Sequence, residues 1–243
     1  MAITPFTKSQ LLPQEEKLEV ARHKSELFIG IPKEISYQER RICLTPDAVN
    51  SLTSHGHRVM VESGAGLSSS YTDKEYSDAG AEITSDTKKV LSCPFLLKVE
   101  PLTIEEIEMI QPKTIVISAI QLKTRKAAYF EALKKKKITA LAFEYIKDED
   151  GSYPAVKSLS EIAGTASILI ASELMINNQF GKGLLLGNIT GVPPTDVVIL
   201  GAGTVGEFAA KTALGLGANV KVFDNSITKL RRLQNNLNQR IFT

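Results

Sequence analysis

The stretch Asp196-Val197-Val198-Ile199-Leu200-Gly201-Ala202-Gly203-Thr204-Val205-Gly206-Glu207-Phe208-Ala209-Ala210 decides the fold. An apolar run of strand character enters GxGxxG, and an alanine-rich helical run leaves it, which is the context that gives the motif meaning. Gly201 permits the tight turn, Gly203 lets the backbone approach a pyrophosphate, and Gly206 lets helix and strand pack closely. The helix start, with Thr204 and Val205 in its first turn, offers free N–H groups and a positive dipole end to phosphates. A second strand over 219–223 ends in Asp224, eighteen residues beyond Gly206, where a carboxylate can hold both ribose hydroxyls. That carboxylate repels a 2′-phosphate, so the expected cofactor is NAD rather than NADP.

Beyond Gly206 the chain has room for that strand, a helix over 228–238 and the start of a third strand at 240–243. A six-stranded dinucleotide fold needs two such halves. The nicotinamide half is missing, so the chain reads as a fragment of a longer protein and is expected to be inactive alone. Upstream, a buried strand over 27–31 stops at Pro32, a helix spans 47–54, a strand follows at 58–62, and Gly64-Ala65-Gly66 turns the chain. Helices at 72–79, 86–91, 103–109 and 124–133 then alternate with strands at 95–99, 114–120 and 138–143, which predicts a mainly parallel sheet covered by helices. A long helix from 159 to about 178, with Ser160 as its N-cap, is expected to link two domains. The predicted fold class is therefore α/β. An extension over 1–26, with a short helix at 14–24, precedes a parallel α/β substrate domain over 27–158. A linker helix and loop over 159–189 lead to the first half of a Rossmann domain over 190–243.

The composition narrows the function classes. Twenty-nine Lys and Arg against 27 Asp and Glu leave a formal charge of +2, too balanced to argue for a nucleic acid or an acidic membrane as partner. Cys43 and Cys93 form no CxxC, and His23, His55 and His57 form no HExxH, so neither a disulfide framework nor a common zinc site is expected. A reducing cytoplasm fits. No run is expected to reach the roughly 18 apolar residues of a membrane span, and the first twenty residues lack the pattern of a signal peptide. In a cytoplasmic chain the sequon at 188–190 is idle. The lysines at 134–137 read as a solvated helix end, and His55 and His57 sit at another helix end, where the dipole favours them.

Gly30-Ile31-Pro32-Lys33-Glu34, Arg41-Ile42-Cys43-Leu44-Thr45-Pro46, Gly64-Ala65-Gly66, Leu97-Lys98-Val99, Ser160-Glu161-Ile162-Ala163-Gly164 and Leu214-Gly215-Leu216-Gly217-Ala218 resemble alanine dehydrogenases over residues 27–243. The soluble NAD(H)-binding subunit of proton-translocating transhydrogenases shares the N-terminal domain. The resemblance implies NAD-dependent oxidative deamination of L-alanine to pyruvate and ammonia, a small 2-oxo or 2-amino acid as substrate, and a homo-oligomer. Residue by residue, it gives Arg41 the substrate carboxylate, a task suited to a planar bidentate donor. Lys98 falls near the family's substrate lysine, but the usual Lys-Val-Lys-Glu-Pro is one residue shorter here, at Lys98-Val99-Glu100-Pro101. The catalytic histidine maps onto Gln121, which can hydrogen-bond a carbonyl but cannot take a proton. Ser160 and Lys229 match cofactor-side residues, beside Gly201, Gly203, Thr204, Val205, Gly206 and Asp224. Two other readings share these residues: a transhydrogenase-type NAD(H)-binding subunit, which needs a membrane partner, and a non-catalytic NAD-binding paralogue.

Overall fold

The computed structural model describes residues 26–149, 151–177, 179, 181–237 and 239–243. The helix expected at 14–24 lies outside them. The chain forms two compact units, divided between Leu141 and Ala142.

The first unit is built on strands β1 (Phe28–Ile31), β2 (Arg58–Glu62), β3 (Glu82–Thr84), β4 (Phe95–Leu97), β5 (Ile115–Ser118) and β6 (Thr139–Ala142), in the order β3-β2-β1-β4-β5-β6. β1 pairs in parallel with both β2 and β4, and β2–β3 and β4–β5 are parallel as well. β3 escapes a sequence reading because its three residues, Glu82-Ile83-Thr84, are too short to show a period. Helices α1 (Pro46–Ser54), α2 (Asp73–Asp78), α3 (Thr87–Leu91), α4 (Ile104–Met109) and α5 (Ala127–Lys135) connect the strands. Their starts are encoded locally. Thr45 caps α1 ahead of Pro46, and Thr72 with Glu75 and Thr103 with Glu106 form reciprocal capping boxes on α2 and α4. One core cluster gathers Ile29, Ile31, Val49, Val59, Val61 and a fully buried Tyr76, whose hydroxyl donates to the Leu44 carbonyl at 2.7 Å.

The chain leaves β1 toward β2 on one side and β4 toward β5 on the other, so the loops at their carboxyl ends diverge and leave a crevice between them. Open α/β sheets bind ligands at such a switch point.

The second unit contains α6 (Pro154–Ile176), β7 (Asp196–Leu200), α7 (Thr204–Gly215), β8 (Asn219–Phe223) and α8 (Ile227–Asn236), with β7 and β8 parallel over five residue pairs. Phe242 makes a parallel bridge to Lys221, the start of the expected third strand. Ile168, Ala209, Ala213, Val220, Val222 and Leu233 lie in its core. Two expectations need correction. The long helix starts at Pro154 with Tyr153 as its cap residue, not at Ser160, because proline's fixed φ pre-organises the first helical position. Ser160 therefore lies inside the helix and caps nothing. The same helix is also long and apolar enough, by length and composition, to cross a membrane, contrary to the expectation that no run would be. Its Ser, Thr and Gly residues interrupt the apolar run, but its Leu, Ile, Val and Ala residues keep the average high. One side of α6 packs on α7: a Cβ on Gly164 would lie 2.4 Å from the Val205 carbonyl oxygen, so only glycine allows the two helices this close. Ile162, Leu169, Ile170 and Leu174 remain exposed.

Candidate functional site

In the first unit the loops after β1, β4 and β5 bring one polar cluster together. Glu34 spans the crevice. Its Oε1 accepts the Val99 N–H at 2.6 Å and its Oε2 the Glu100 N–H at 3.4 Å, which ties the β1 loop to the β4 loop. Burial raises the Glu34 carboxyl above its ordinary value, and the charge of Lys98 partly opposes this. Arg41 lies in the same β1 loop. Its Nε and Nη2 donate to the two oxygens of Glu39 at 2.8 and 2.6 Å, and Nη2 is 3.8 Å from Glu100 Oε1. The hydrogen bonds from Arg41 hold the Glu39 carboxyl below the usual carboxylate range.

Gln121 follows β5 with φ of 53°, a left-handed conformation uncommon for a side-chain-bearing residue. Its backbone carbonyl accepts from both the N–H and the hydroxyl of Thr124. Its Nε2 donates to Glu100 Oε2 at 3.3 Å, and its Oε1 accepts from Arg125 at 3.1 Å. Arg41, Glu100, Gln121 and Arg125 thus form a continuous chain across three loops.

Lys98 sits beneath that chain. Its side chain is 1% exposed, and its ammonium donates to both oxygens of Glu106 at 2.8 and 3.0 Å. Glu106 Oε2 also accepts the Thr103 N–H, so Lys98 is tied to the carboxylate of the α4 capping box. Cys43 is inert: burial pushes its thiol up to about 12.

In the second unit, Ser160, Gly201, Gly203, Thr204, Val205 and Gly206 line one cleft of about 500 Å³. The three motif glycines have different reasons to be glycine. Gly201 has φ of +109°, which strains any other residue. A Cβ on Gly206 would lie 1.9 Å from the Gly201 carbonyl oxygen. A Cβ on Gly203 would meet no protein atom within 4 Å, so the space it leaves open faces the cleft. Gly203 is the N-cap of α7 and supplies no side-chain cap, which leaves the first N–H groups of the helix free for an anion. This cradle fits a dinucleotide pyrophosphate.

Asp224 closes the turn from below. Its Oδ2 accepts the Ala202 N–H and its Oδ1 the Ser226 N–H, both at 2.8 Å, and Lys229 Nζ lies 3.9 Å from Oδ2. The two backbone donors hold its carboxyl below the ordinary aspartate value.

Two family models match the chain, one after the other. The model described as Alanine dehydrogenase/PNT, N-terminal domain, covers residues 30–163, and the one described as Alanine dehydrogenase/PNT, C-terminal domain, covers residues 167–243. The chain belongs to the alanine dehydrogenase/PNT family. Alanine dehydrogenase of Methanococcus maripaludis is 38% identical over 218 residues, 89% of this chain and 58% of that protein. The Bacillus subtilis enzyme is 38% identical over 217 residues, again 89% of this chain and 57% of the relative. A solved L-alanine dehydrogenase superposes with a TM-score of 0.82 at 35% identity, covering 89% of this chain and 60% of that one. A transhydrogenase from Sinorhizobium meliloti gives 0.74 at 26% identity, covering 86% and 62%. This family member therefore spans less than two thirds of the relatives it matches.

Glu34, Glu39, Glu100 and Arg125 were not singled out as site residues in the sequence. Glu39 had a local signal, a carboxylate two residues before Arg41. Glu34 and Glu100 lie in stretches that resemble the family, but nothing in their spacing gives either a role, and Arg125 has no signal in its neighbours.

Proposed function

We propose that the full-length protein carries out NAD-dependent oxidative deamination of L-alanine to pyruvate and ammonia. The observation that carries this reading is Arg41, fixed by Glu39 at the switch point of the first unit. A small 2-oxo or 2-amino acid offers one permanent anionic handle, its carboxylate, and a guanidinium is the side chain that grips it in two places. Glu39 takes the Nε edge of Arg41 and leaves the other edge for the substrate.

Gly203, Thr204, Val205 and Gly206 would hold the pyrophosphate, with Ser160 lining the same cleft and Asp224 and Lys229 toward the adenosine ribose. When bound, the nicotinamide supplies the hydride acceptor. Asp224 favours NAD over NADP, since its carboxylate opposes a 2′-phosphate. Gln121 and Lys98 are assigned to shaping and supporting the substrate side rather than to carrying protons. A homo-oligomer in the cytoplasm completes the reading.

The test is a spectrophotometric NADH assay with pyruvate and ammonia on the full-length protein. A second reading, a transhydrogenase-type NAD(H)-binding subunit, draws on the Sinorhizobium meliloti match and on Gln121, because hydride exchange between nucleotides needs no histidine. Hydride exchange only when an NADP-binding component is added would select it.

A further inference from the structure

Deamination needs a group that takes a proton from water and later returns it to nitrogen, and the position expected to hold a histidine is Gln121. The two described histidines lie at the opposite edge of the sheet: His55 Nδ1 is 2.6 Å from the Ser51 carbonyl, and His57 Nδ1 accepts the Leu27 N–H ahead of β1. Among the described residues at the carboxyl ends of these strands, most candidate proton carriers are committed. Lys98 is buried on Glu106, Glu34 accepts two backbone N–H groups, and Glu39 is forked onto Arg41. The Cys43 thiol, pushed up to about 12 by burial, stays protonated.

Glu100 is placed differently. Its side chain is 23% exposed, its Oε1 lies 3.8 Å from Arg41 Nη2, and its Oε2 accepts from Gln121 Nε2. It adjoins the arginine that would hold the substrate carboxylate, and an amide at the histidine's position points it. Arg41 and Arg125 are the cations of its surroundings, with Lys98 behind, and Glu34 and Glu39 are the carboxylates.

We infer that Glu100 is the proton carrier of the deamination, with Gln121 as the residue that positions it. This rests on the function proposed above. Once the substrate ammonium has given one proton to solvent and hydride loss from the 2-carbon has left an iminium, water adds to that carbon and gives one proton to the Glu100 carboxylate, which forms a carbinolamine. Glu100 returns that proton to the amine nitrogen. The C–N bond breaks with its electron pair going to nitrogen, so ammonia leaves. The hydroxyl proton passes to Glu100 as the C=O bond of the 2-oxo acid forms, and Glu100 then releases it to solvent. The electrons removed from the 2-carbon go to the nicotinamide dinucleotide as hydride, so no other oxidant is needed.

The test is Glu100→Gln in the full-length protein, mixed with NAD and L-alanine in a stopped-flow instrument. The proposal expects a first-turnover burst of NADH at a rate within about threefold of wild type. It expects steady-state turnover to fall by about 10²–10⁴, the range of a lost acid–base group. NADH affinity, read by fluorescence, should not change. Glu100→Asp keeps the carboxylate and should turn over at least about tenfold faster than Glu100→Gln. Steady-state rates near wild type in Glu100→Gln overturn the assignment, as does loss of the burst together with turnover, or equal loss in both variants. A wild-type holoenzyme that deaminates no amino acid overturns the proposed function and this assignment together. Failure of Glu100→Gln to differ from an active wild type overturns this assignment alone.

Discussion

Glu39 and Arg41 are clasped two residues apart, Nε and Nη2 of the arginine on the two carboxylate oxygens at 2.8 and 2.6 Å. The clasp sets the plane of the guanidinium before any substrate arrives. Arg41→Lys keeps the charge and loses the fork, so KM for the substrate should rise and kcat fall together. Arg41→Ala should abolish turnover without changing NADH affinity. Glu39→Ala frees Arg41 to rotate and should raise KM by about tenfold, the equivalent of roughly 1.4 kcal/mol. Steady-state kinetics with pyruvate and alanine check all three. An active enzyme indifferent to Arg41→Ala would place the substrate elsewhere.

The motif glycines should separate stability from binding. Gly206→Ala drives a Cβ into the Gly201 carbonyl, so thermal unfolding should show a loss of about 1–3 kcal/mol from overpacking. Gly203→Ala meets no protein atom and should leave the melting temperature in place. It should weaken NADH by about tenfold or more, roughly 1.4 kcal/mol, because the new methyl occupies the space proposed for the pyrophosphate. Equal effects of the two variants on stability would contradict this division.

Lys98 tests whether a buried pair serves structure or substrate. Lys98→Met leaves Glu106 without its cation in a buried site, and removing one partner of a buried pair costs about 3–5 kcal/mol. The double variant Lys98→Met/Glu106→Leu should recover much of that loss in a denaturant titration. A variant of normal stability with a raised substrate KM would instead put Lys98 in contact with the substrate.

The carboxyl of Asp224 is lowered by the N–H groups of Ala202 and Ser226. Its folded-state value lies below its unfolded one, so the stabilisation is present above the unfolded value near 4 and disappears as pH falls through the folded value. Asp224→Asn should flatten the acid side of the stability curve below about pH 4 and narrow the preference for NAD over NADP. Acid titration of the circular dichroism signal and paired cofactor titrations report the two effects separately.

Both thiols should resist modification in the native state. Burial pushes Cys43 up to about 12 and Cys93 to about 11, so at pH 8 only about one Cys43 in ten thousand is thiolate. Native protein should react with an aromatic disulfide reagent at a small fraction of the rate seen in denaturant. Fast labelling of Cys43 would show that its pocket opens.

The sequence by itself determined what neighbouring residues decide. The glycine turn, the strands on either side of α7 and the helix–strand alternation that makes a parallel α/β sheet all follow from patterns of residues close in sequence. The start of α6 is just as local: Pro154, six residues upstream, is a better first helical residue and leaves Ser160 inside the helix. Tertiary structure alone decided the site. Glu34 accepts the N–H of Val99, 65 residues away, and Arg41 faces Glu100, because β1 and β4 lie side by side in the sheet order. Lys98, which looks like a substrate lysine in its motif, is sealed under α4 by Glu106. Strand order and burial depend on how distant segments share one core, and residue spacing along the chain does not carry that information.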